Sequence, residues 1–300
     1  MSELKCNLCG YDKFKTFFKT SGDEEGVSFF PSSDVVGNDT LIKCKRCNLC
    51  FVHPILDENE ILKEYAEYED ERFASQSKGR LITFGKNLKD IEGFTNPGRI
   101  LDIGTANASF LYAAKKRGWK VEGVELNKYL IRWAKENYGL DIKQGTIFQH
   151  KFKEKFDVVS AWDVLEHVTD PMKYLNKFKE LIKEDGFLVI NYPDYKSYVS
   201  RLLGKKWPFY LSVHLFYFDR NTITKYLNTL GFKILQIKPH VQYLDLGYVF
   251  FRARKYVGLP AIIMEKIIKV VGLHKKQVPY WIGQTLIIAK KDGTKKSITY

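Results

Sequence analysis

Two rhythms of apolar positions run along this chain. From residue 99 onward, short continuous apolar runs alternate with segments whose apolar positions recur every three or four residues. Residues 100–103, 120–124, 141–144, 156–161, 186–191, 232–237 and 285–289 read as strands, buried on both faces where the run is unbroken. Residues 110–117, 128–138, 171–183 and 220–230 read as amphipathic helices, with Pro171 starting one and Gly118 and Gly231 stopping two others. This alternation, closed by right-handed crossovers, predicts an α/β fold: a Rossmann-like, doubly wound, mainly parallel seven-stranded sheet. Ligands on such sheets lie at the carboxyl ends of the strands. Here those ends supply Gly104, Glu125, Gly145 with Thr146, Trp162 with Asp163, and Tyr192 with Pro193.

Residues 57–98 follow a different pattern. Acidic residues surround Ile61, Leu62, Tyr65 and Tyr68, and a second helical pattern over 81–91 ends at Gly93. This segment is expected to be a helical connector, or a lid over the site. Residues 245–279 separate two strands that a short hairpin would otherwise join, so they read as an insertion into the domain of residues 99–300. Within it, Ile263, Ile267, Val270 and Val271 share a helical face flanked by Lys266 and Lys269, near the basic cluster at residues 252–255 and the Lys275–Lys276 pair. That face either packs on the sheet edge or on a partner, or it lies in a headgroup layer as a basic amphipathic helix.

Residues 1–56 carry Cys6-Asn7-Leu8-Cys9 and, after 34 intervening residues, Cys44-Lys45-Arg46-Cys47. Paired C-x2-C knuckles in a loop-rich segment suit one tetrahedral zinc ion, which replaces a core that so short a module can hardly build. Cys6, Cys9, Cys44 and Cys47 are the expected ligands. Cys50 sits between Leu49 and Phe51 and reads as a strand residue. Five cysteines without a signal-peptide pattern favour metal or free thiols in a cytoplasmic protein. The net charge of +13 is lopsided: residues 196–300 hold 19 Lys and Arg against 4 Asp and Glu. An anionic partner is expected there. Basic and aromatic residues interleave from Tyr195 to Tyr210, around Lys196, Tyr198, Trp207 and Phe209, and could stack a sugar or base.

The first strand ends on Asp102 and runs into a small-residue turn, Gly104-Thr105-Ala106-Asn107-Ala108. Glu125 closes the next strand about 20 positions on. With the stretch FDVVSAWDVLEHVTDP over residues 156–171, this resembles the class I S-adenosylmethionine-dependent methyltransferases. The cysteine knuckles and His214-Leu215-Phe216-Tyr217-Phe218 look like a subgroup with an N-terminal four-cysteine zinc module, which acts on sugars or other small metabolites. The resemblance implies methyl transfer to a small-molecule or glycan acceptor, read here as at oxygen, and the basic C-terminal third points to an anionic or lipid-linked one. It places Asp102, Gly104, Thr105 and Ala106 near the cofactor's methionine end, and Glu125 and Leu126 at the ribose. Thr146 and Ile147 fall near the adenine, with Trp162 flanking the cofactor. Tyr68 (or Tyr65), Glu166 and His167 would meet the acceptor, with His214 nearby as a second candidate base. The sequence departs from the family at Ala106 and Ala108, where glycine is commoner, and lacks the acidic residue many relatives carry near Thr146. Two rival readings are an RNA methyltransferase, suggested by the basic C-terminal third, and a non-catalytic binding module with an altered turn. Against the first, Asp163-Val164-Leu165-Glu166 stands where an Asn/Asp-Pro-Pro-Tyr/Phe motif would be. A cytoplasmic enzyme peripheral to the inner membrane face, with a glycan carried on a lipid as acceptor, would account for the basic insertion.

Overall fold

Strands β1 (Phe14–Lys19), β2 (Thr40–Cys44) and β3 (Cys50–His53) open the chain. They are followed by helices α1 (Glu58–Glu67) and α2 (Ser77–Glu92). The computed structural model describes residues 4–19, 40–55, 58–67, 76–211 and 213–292. The central alternation then runs β4 (Arg99–Ile103), α3 (Ser109–Lys115), β5 (Lys120–Glu125), α4 (Lys128–Tyr138), β6 (Lys143–Gln144), β7 (Phe156–Trp162), α5 (Pro171–Leu181) and β8 (Ile182–Pro193). After it come α6 (Tyr198–Leu203), β9 (Phe216–Tyr217), α7 (Arg220–Thr229), β10 (Phe232–Pro239) and β11 (Gln242–Asp245). The chain closes with α8 (Leu246–Val257), α9 (Leu259–Val270), β12 (Gln277–Tyr280) and β13 (Gln284–Lys291).

The main sheet has seven strands in the order β10-β13-β8-β7-β4-β5-β6. Strands β4 to β8 are parallel, while β13 pairs antiparallel with both β8 and β10. The expected α/β class is therefore the observed one. Side-chain alternation along the strands feeds two apolar layers. Ile100, Val158, Val189 and Ile288 face α2 and α3, where Phe84, Leu88, Phe110 and Leu111 pack. Leu101, Val159, Leu188 and Ile287 face the layer that contains Phe178 of α5, Tyr226 of α7 and three of the cysteines. The strand order reverses at β4, which lies between β5 and β7, so a crevice opens at the carboxyl ends of these three strands.

Some boundaries move. The helix expected to reach residue 183 stops at Leu181, because Ile182 is drawn into the sheet opposite Phe156 and is fully buried there. Sheet pairing overrides the helix preference of the Lys-Glu pair that follows. The strand expected over 141–144 forms only at Lys143–Gln144. The N-terminal sheet is completed from far along the chain: β9 pairs antiparallel with β3, giving the order β1-β2-β3-β9. Asn7 also accepts a hydrogen bond from the Tyr226 hydroxyl (2.8 Å) and donates to Asp170 (2.7 Å).

The insertion is more than helical. β11 and β12 pair as a two-stranded antiparallel ribbon ahead of and behind the α8–α9 hairpin. The ribbon is held on α2, where the Tyr243 amide donates to Thr83 Oγ1 (2.8 Å). On α9 only Ala261 and Ile268 are buried; Ile263, Ile267, Val270 and Val271 stand 48, 47, 87 and 57% exposed. That face does not pack on the sheet edge; the buried stripe of the helix is the one that carries Ala261 and Ile268. Two of the basic segment's aromatics are core rather than surface. Tyr195 and Trp207 pack with Tyr217, and the Trp207 indole donates to the Ile282 carbonyl at 2.7 Å. Lys196 pairs with Asp219, which leaves Tyr198 as the exposed ring of the segment's start.

The turn after β4 adopts left-handed backbone at three places: Gly104 (φ +64°), Ala106 (φ +50°) and Ala108 (φ +58°). Glycine tolerates this freely, while an L side chain costs about 1–2 kcal/mol per residue. Ala106 is half-buried, so Ala106→Gly should raise the unfolding free energy by about 0.5–1 kcal/mol, read as a higher denaturant midpoint at constant slope. Ala108 is fully buried and packs in the core, so the same change there should be close to neutral.

Candidate active site

A cavity of about 350 Å³ lies at the carboxyl ends of β4, β5 and β7. That is within the size range of ligand sites. Its floor is the turn after β4; the β5–α4 turn and Thr146-Ile147 form one side. Trp162, Asp163 and Val164 form the other side. Helix α1 contributes Ile61, Leu62 and Tyr65, and α2 contributes Arg80, Thr83 and Phe84. The inserted ribbon and α8 close the remaining wall with Tyr243, Tyr248 and Arg252.

Asp102, Gly104, Thr105, Ala106, Glu125, Leu126, Thr146, Ile147 and Trp162 all line this space, as do Glu166, His167 and His214. Ala108 does not; its methyl is packed behind the turn, so it costs backbone strain rather than room for a ligand. Tyr68 lies outside the described residues. Several lining residues carry no motif that exposes them in the sequence. Arg80, Thr83 and Phe84 follow helical spacing with Gln76 and Asn87, and this polar stripe on a buried helix face was the available signal. For Tyr243, Tyr248 and Arg252 no local pattern existed, because the insertion's place over the cavity is set by tertiary packing.

Glu125 is 1% exposed and bridges the two turns. Its Oε2 accepts the Ala106 amide (2.7 Å), and its Oε1 accepts those of Leu126 (2.7 Å) and Asn127 (2.8 Å). The Tyr65 hydroxyl also donates to this carboxylate. Burial still raises its pKa, against the lowering effect of those bonds. Asn127 meanwhile caps α4 through the Leu130 amide (2.9 Å) and donates to the Tyr65 carbonyl (2.8 Å), which ties α1 to the site. Trp162, at the end of β7, packs against Phe84 and Phe110 with ring centroids 5.1 and 4.9 Å away.

At the opposite end, Glu166 and His167 follow β7, and His214 precedes β9. The Leu215 and Phe216 amides both donate to the Glu166 carbonyl, at 2.7 and 3.1 Å, and so clamp the two segments together. The His167 and His214 rings meet edge to face with centroids 4.7 Å apart. Each ring's Nδ1–H donates to a backbone carbonyl, that of Val213 and of Phe209 respectively, both at 2.9 Å. A carbonyl only accepts, so both rings carry their proton on Nδ1 and present a lone pair on Nε2. Burial lowers His167 to about 4 and His214 well below its ordinary value, so both are neutral at physiological pH. Glu166 is 1% exposed, and neither of its oxygens bonds another residue.

In the N-terminal module the two knuckles have the same local geometry. Cys6 and Cys44 amides donate to the Tyr11 and Leu49 carbonyls, both at 2.9 Å, and the residues after the second cysteines, Gly10 and Asn48, are both left-handed at φ +67°. The Sγ atoms of Cys6, Cys9, Cys44 and Cys47 lie within 4.8 Å of one another, with Cys6–Cys47 at 3.4 Å and Cys9–Cys44 at 3.6 Å. Four sulfurs on one zinc at about 2.3 Å would sit about 3.8 Å apart, so the cluster has the right span. Cys50 is fully buried in β3 and outside the cluster.

Asp102 is 1% exposed; one oxygen accepts the Ser160 hydroxyl (2.6 Å) and the other has no partner. Desolvation pushes its pKa up to about 7, partly offset by the Ser160 bond. The folded state therefore holds this proton more tightly than the unfolded chain does. Its contribution is favourable at low pH and is lost as pH rises from about 4 to about 7, a difference of at most about 4 kcal/mol. Asp102→Asn should flatten that part of the stability–pH curve and make the ligand-free protein more stable at pH 8, as measured by chemical denaturation across the range.

Residues 70–237 match the family described as Methyltransferase domain. Curated relatives include the ubiquinone biosynthesis O-methyltransferases of Coxiella burnetii, 28% identical over 152 residues, and of Actinobacillus pleuropneumoniae, 30% identical over 122 residues. These alignments span 46 and 36% of this chain, and 64 and 52% of the relatives' own length. Similar solved structures include an S-adenosylmethionine-dependent methyltransferase from Archaeoglobus fulgidus, with TM-score 0.48, 19% identity, and coverage of 74% of this chain and all of that one. Another is magnesium protoporphyrin IX methyltransferase from Synechocystis, with TM-score 0.48, 13% identity, and coverage of 78 and 94%. The matched segment takes in β4 through α7 and the strand-end residues around the cavity, and on it this chain belongs to the methyltransferase-domain family.

Proposed function

We propose that this protein transfers the methyl group of S-adenosylmethionine to a hydroxyl of a small-molecule or glycan acceptor. The observation that carries the reading is the set of buried carboxyl groups in the cavity, four against the two arginines Arg80 and Arg252. Asp102, Glu125, Asp163 and Glu166 all face it, and burial raises the pKa of each. Such a site gains by taking in a cation, and the cofactor has both a sulfonium and an ammonium group. When bound, it supplies an electrophilic methyl. Asp102 and the turn of Gly104, Thr105 and Ala106 would hold its methionine end. Glu125 and Leu126 would take the ribose diol, where a ribose hydroxyl replaces that of Tyr65. Thr146 and Ile147 would border the adenine, and Trp162 would wall the sulfur off from the β-sheet side. Glu166, His167 and His214 then face the acceptor, whose proton must leave as the oxygen attacks. The relatives are named O-methyltransferases, which favours oxygen as the atom modified. Burial of Tyr195 and Trp207 leaves fewer rings of the basic segment free to stack a sugar or base. Calorimetric titration with S-adenosylmethionine should show one site per chain, and Glu125→Ala should weaken it by about 1.5–3 kcal/mol for each charged hydrogen bond lost. Unchanged affinity in a folded variant would remove Glu125 from the site; no binding by the wild type would sink the enzymatic reading.

The four clustered thiols are read as a structural zinc site, closed because sulfur fills every position. Elemental analysis should give one zinc per chain. Cys44→Ser should lose the metal and loosen the N-terminal sheet, while Cys50→Ser should retain it.

The exposed face of α9 supports a peripheral membrane contact, and with it a lipid-linked acceptor. Ile263, Ile267, Val270 and Val271 project with Lys266 and Lys269, while α8 of the same hairpin lines the cavity with Tyr248 and Arg252. No helix among the described residues is long and apolar enough to cross a membrane. A lipid-borne hydroxyl could thus reach the cavity from a headgroup layer, where each lysine contributes about 1 kcal/mol on anionic lipid. The protein should co-sediment with anionic vesicles at low salt and less at high salt. Absence of binding at low salt would leave a soluble anionic acceptor as the account of the charge.

A further inference from the structure

We propose that Arg252, Tyr248 and Tyr280 hold a phosphate group carried by the methyl acceptor. The cavity is polarised. Its four carboxyl groups come from the ends of β4, β5 and β7, whereas the inserted ribbon and α8 add a cation and, among the described residues, no carboxylate to the lining. Tyr248 and Arg252 are four residues apart on α8, so they share one face of the helix, and both line the cavity. Tyr280, at the end of β12, pairs with Gln242 of β11. Arg252 and Tyr248 are both within electrostatic reach of its hydroxyl. All three side chains are half-buried. Burial pushes Tyr280 up to about 12, so its phenol keeps the proton and acts as a donor at physiological pH.

This wall is built of donors. A guanidinium brings five N–H groups in a planar fork and accepts nothing, and each phenol adds an O–H. His240, two residues before Gln242, is 2% exposed. The Asn87 amide donates to its Nε2 at 3.0 Å, so the neutral ring carries its proton on Nδ1, and that Nδ1–H has no partner. The Trp162 ring packs on His240 with centroids 5.5 Å apart, and its indole N–H has no partner either. Both residues line the cavity. Buried donors without acceptors are costly, and a ligand rich in oxygen lone pairs relieves them. The guanidinium fork suits a carboxylate or a phosphate. A phosphate offers three acceptor oxygens that are not coplanar, so it can meet the fork and the two phenols together. The role assigned to the group rests on the methyl-transfer reading: the cofactor's cationic groups take the carboxyl side, and the phosphate anchors the acceptor from the other. That phosphate belongs either to a soluble ester or to a lipid headgroup, because α9 of the same hairpin bears the exposed apolar face.

Inorganic phosphate tests the site. The full-length protein, saturated with S-adenosylhomocysteine to keep phosphate out of the cofactor site, is titrated with it and followed by ³¹P NMR. One site per chain is expected, about tenfold or more weaker in Arg252→Gln and partly restored in Arg252→Lys. Tyr280→Phe should weaken it by about two- to tenfold. Lys153→Gln, which removes one exposed cation elsewhere, should bind as the wild type does. A second arm compares phosphatidylcholine vesicles with and without phosphatidic acid. Phosphatidate-dependent sedimentation that Arg252→Gln abolishes identifies a lipid headgroup as the source; phosphate binding that needs Arg252, with sedimentation that does not, identifies a soluble ester. No inorganic phosphate bound by the wild type, or equal phosphate binding by wild type and folded Arg252→Gln, overturns the proposal. Titration with S-adenosylmethionine keeps the two ideas apart, since Arg252→Gln should bind it as the wild type does. Cofactor binding without phosphate binding removes the phosphate site and leaves the methyltransferase reading standing.

Discussion

The site depends on one buried carboxylate. Glu125 accepts three backbone amides from two different turns, and those bonds fix the distance between the β4–α3 and β5–α4 connections. Taking a charge out of water is expensive, and hydrogen bonds to amides that would otherwise be unpaired at turn and helix starts are what offset it. The same interaction orders the floor of the cavity and, through Tyr65 and Asn127, brings α1 across its mouth. Without that carboxylate, the left-handed backbone at Ala106 would lose the hydrogen bond that its own amide makes.

The opposite end of the cavity is organised by backbone rather than by charge. The Glu166 carbonyl receives two amides from the start of β9, and β9 in turn extends the N-terminal sheet through β3. The cysteine module is thereby coupled to the segment that carries His214. Loss of order in that module would reach the acceptor end by a short path: β3, β9, then His214 and the clamp on Glu166. The insertion supplies the third wall, so the cavity's shape joins parts of the chain that lie far apart in sequence.

Much of this was legible in the chain itself. Period-two and period-3.6 apolar patterns, with glycine and proline punctuation, determined the sheet's strands, the helices between them and the carboxyl-end location of the site. The spacing of Asp102, Gly104 and Glu125 set the cofactor-side candidates, because a βαβ unit leaves little freedom between its turn and its second strand end. The cysteine spacing determined which four thiols come together, since each knuckle is a local turn whose geometry needs no distant partner.

Other features needed the folded chain. Ile182 joins the sheet because Phe156 is there to pair with it, a contact that local helix preference cannot register. Tyr195 and Trp207 are core, and Ile263 and Val270 are surface, outcomes that the sequence left open; burial belongs to the surroundings, not to the residue. Tyr243, Tyr248 and Arg252 reach the cavity only because the β11–β12 ribbon docks on α2. The meeting of Glu166 and His167 with His214, 47 residues beyond His167, is likewise a product of β-strand addition. Sequence determines what short segments can become; where they meet is decided by pairing and packing between segments that have no local record of one another.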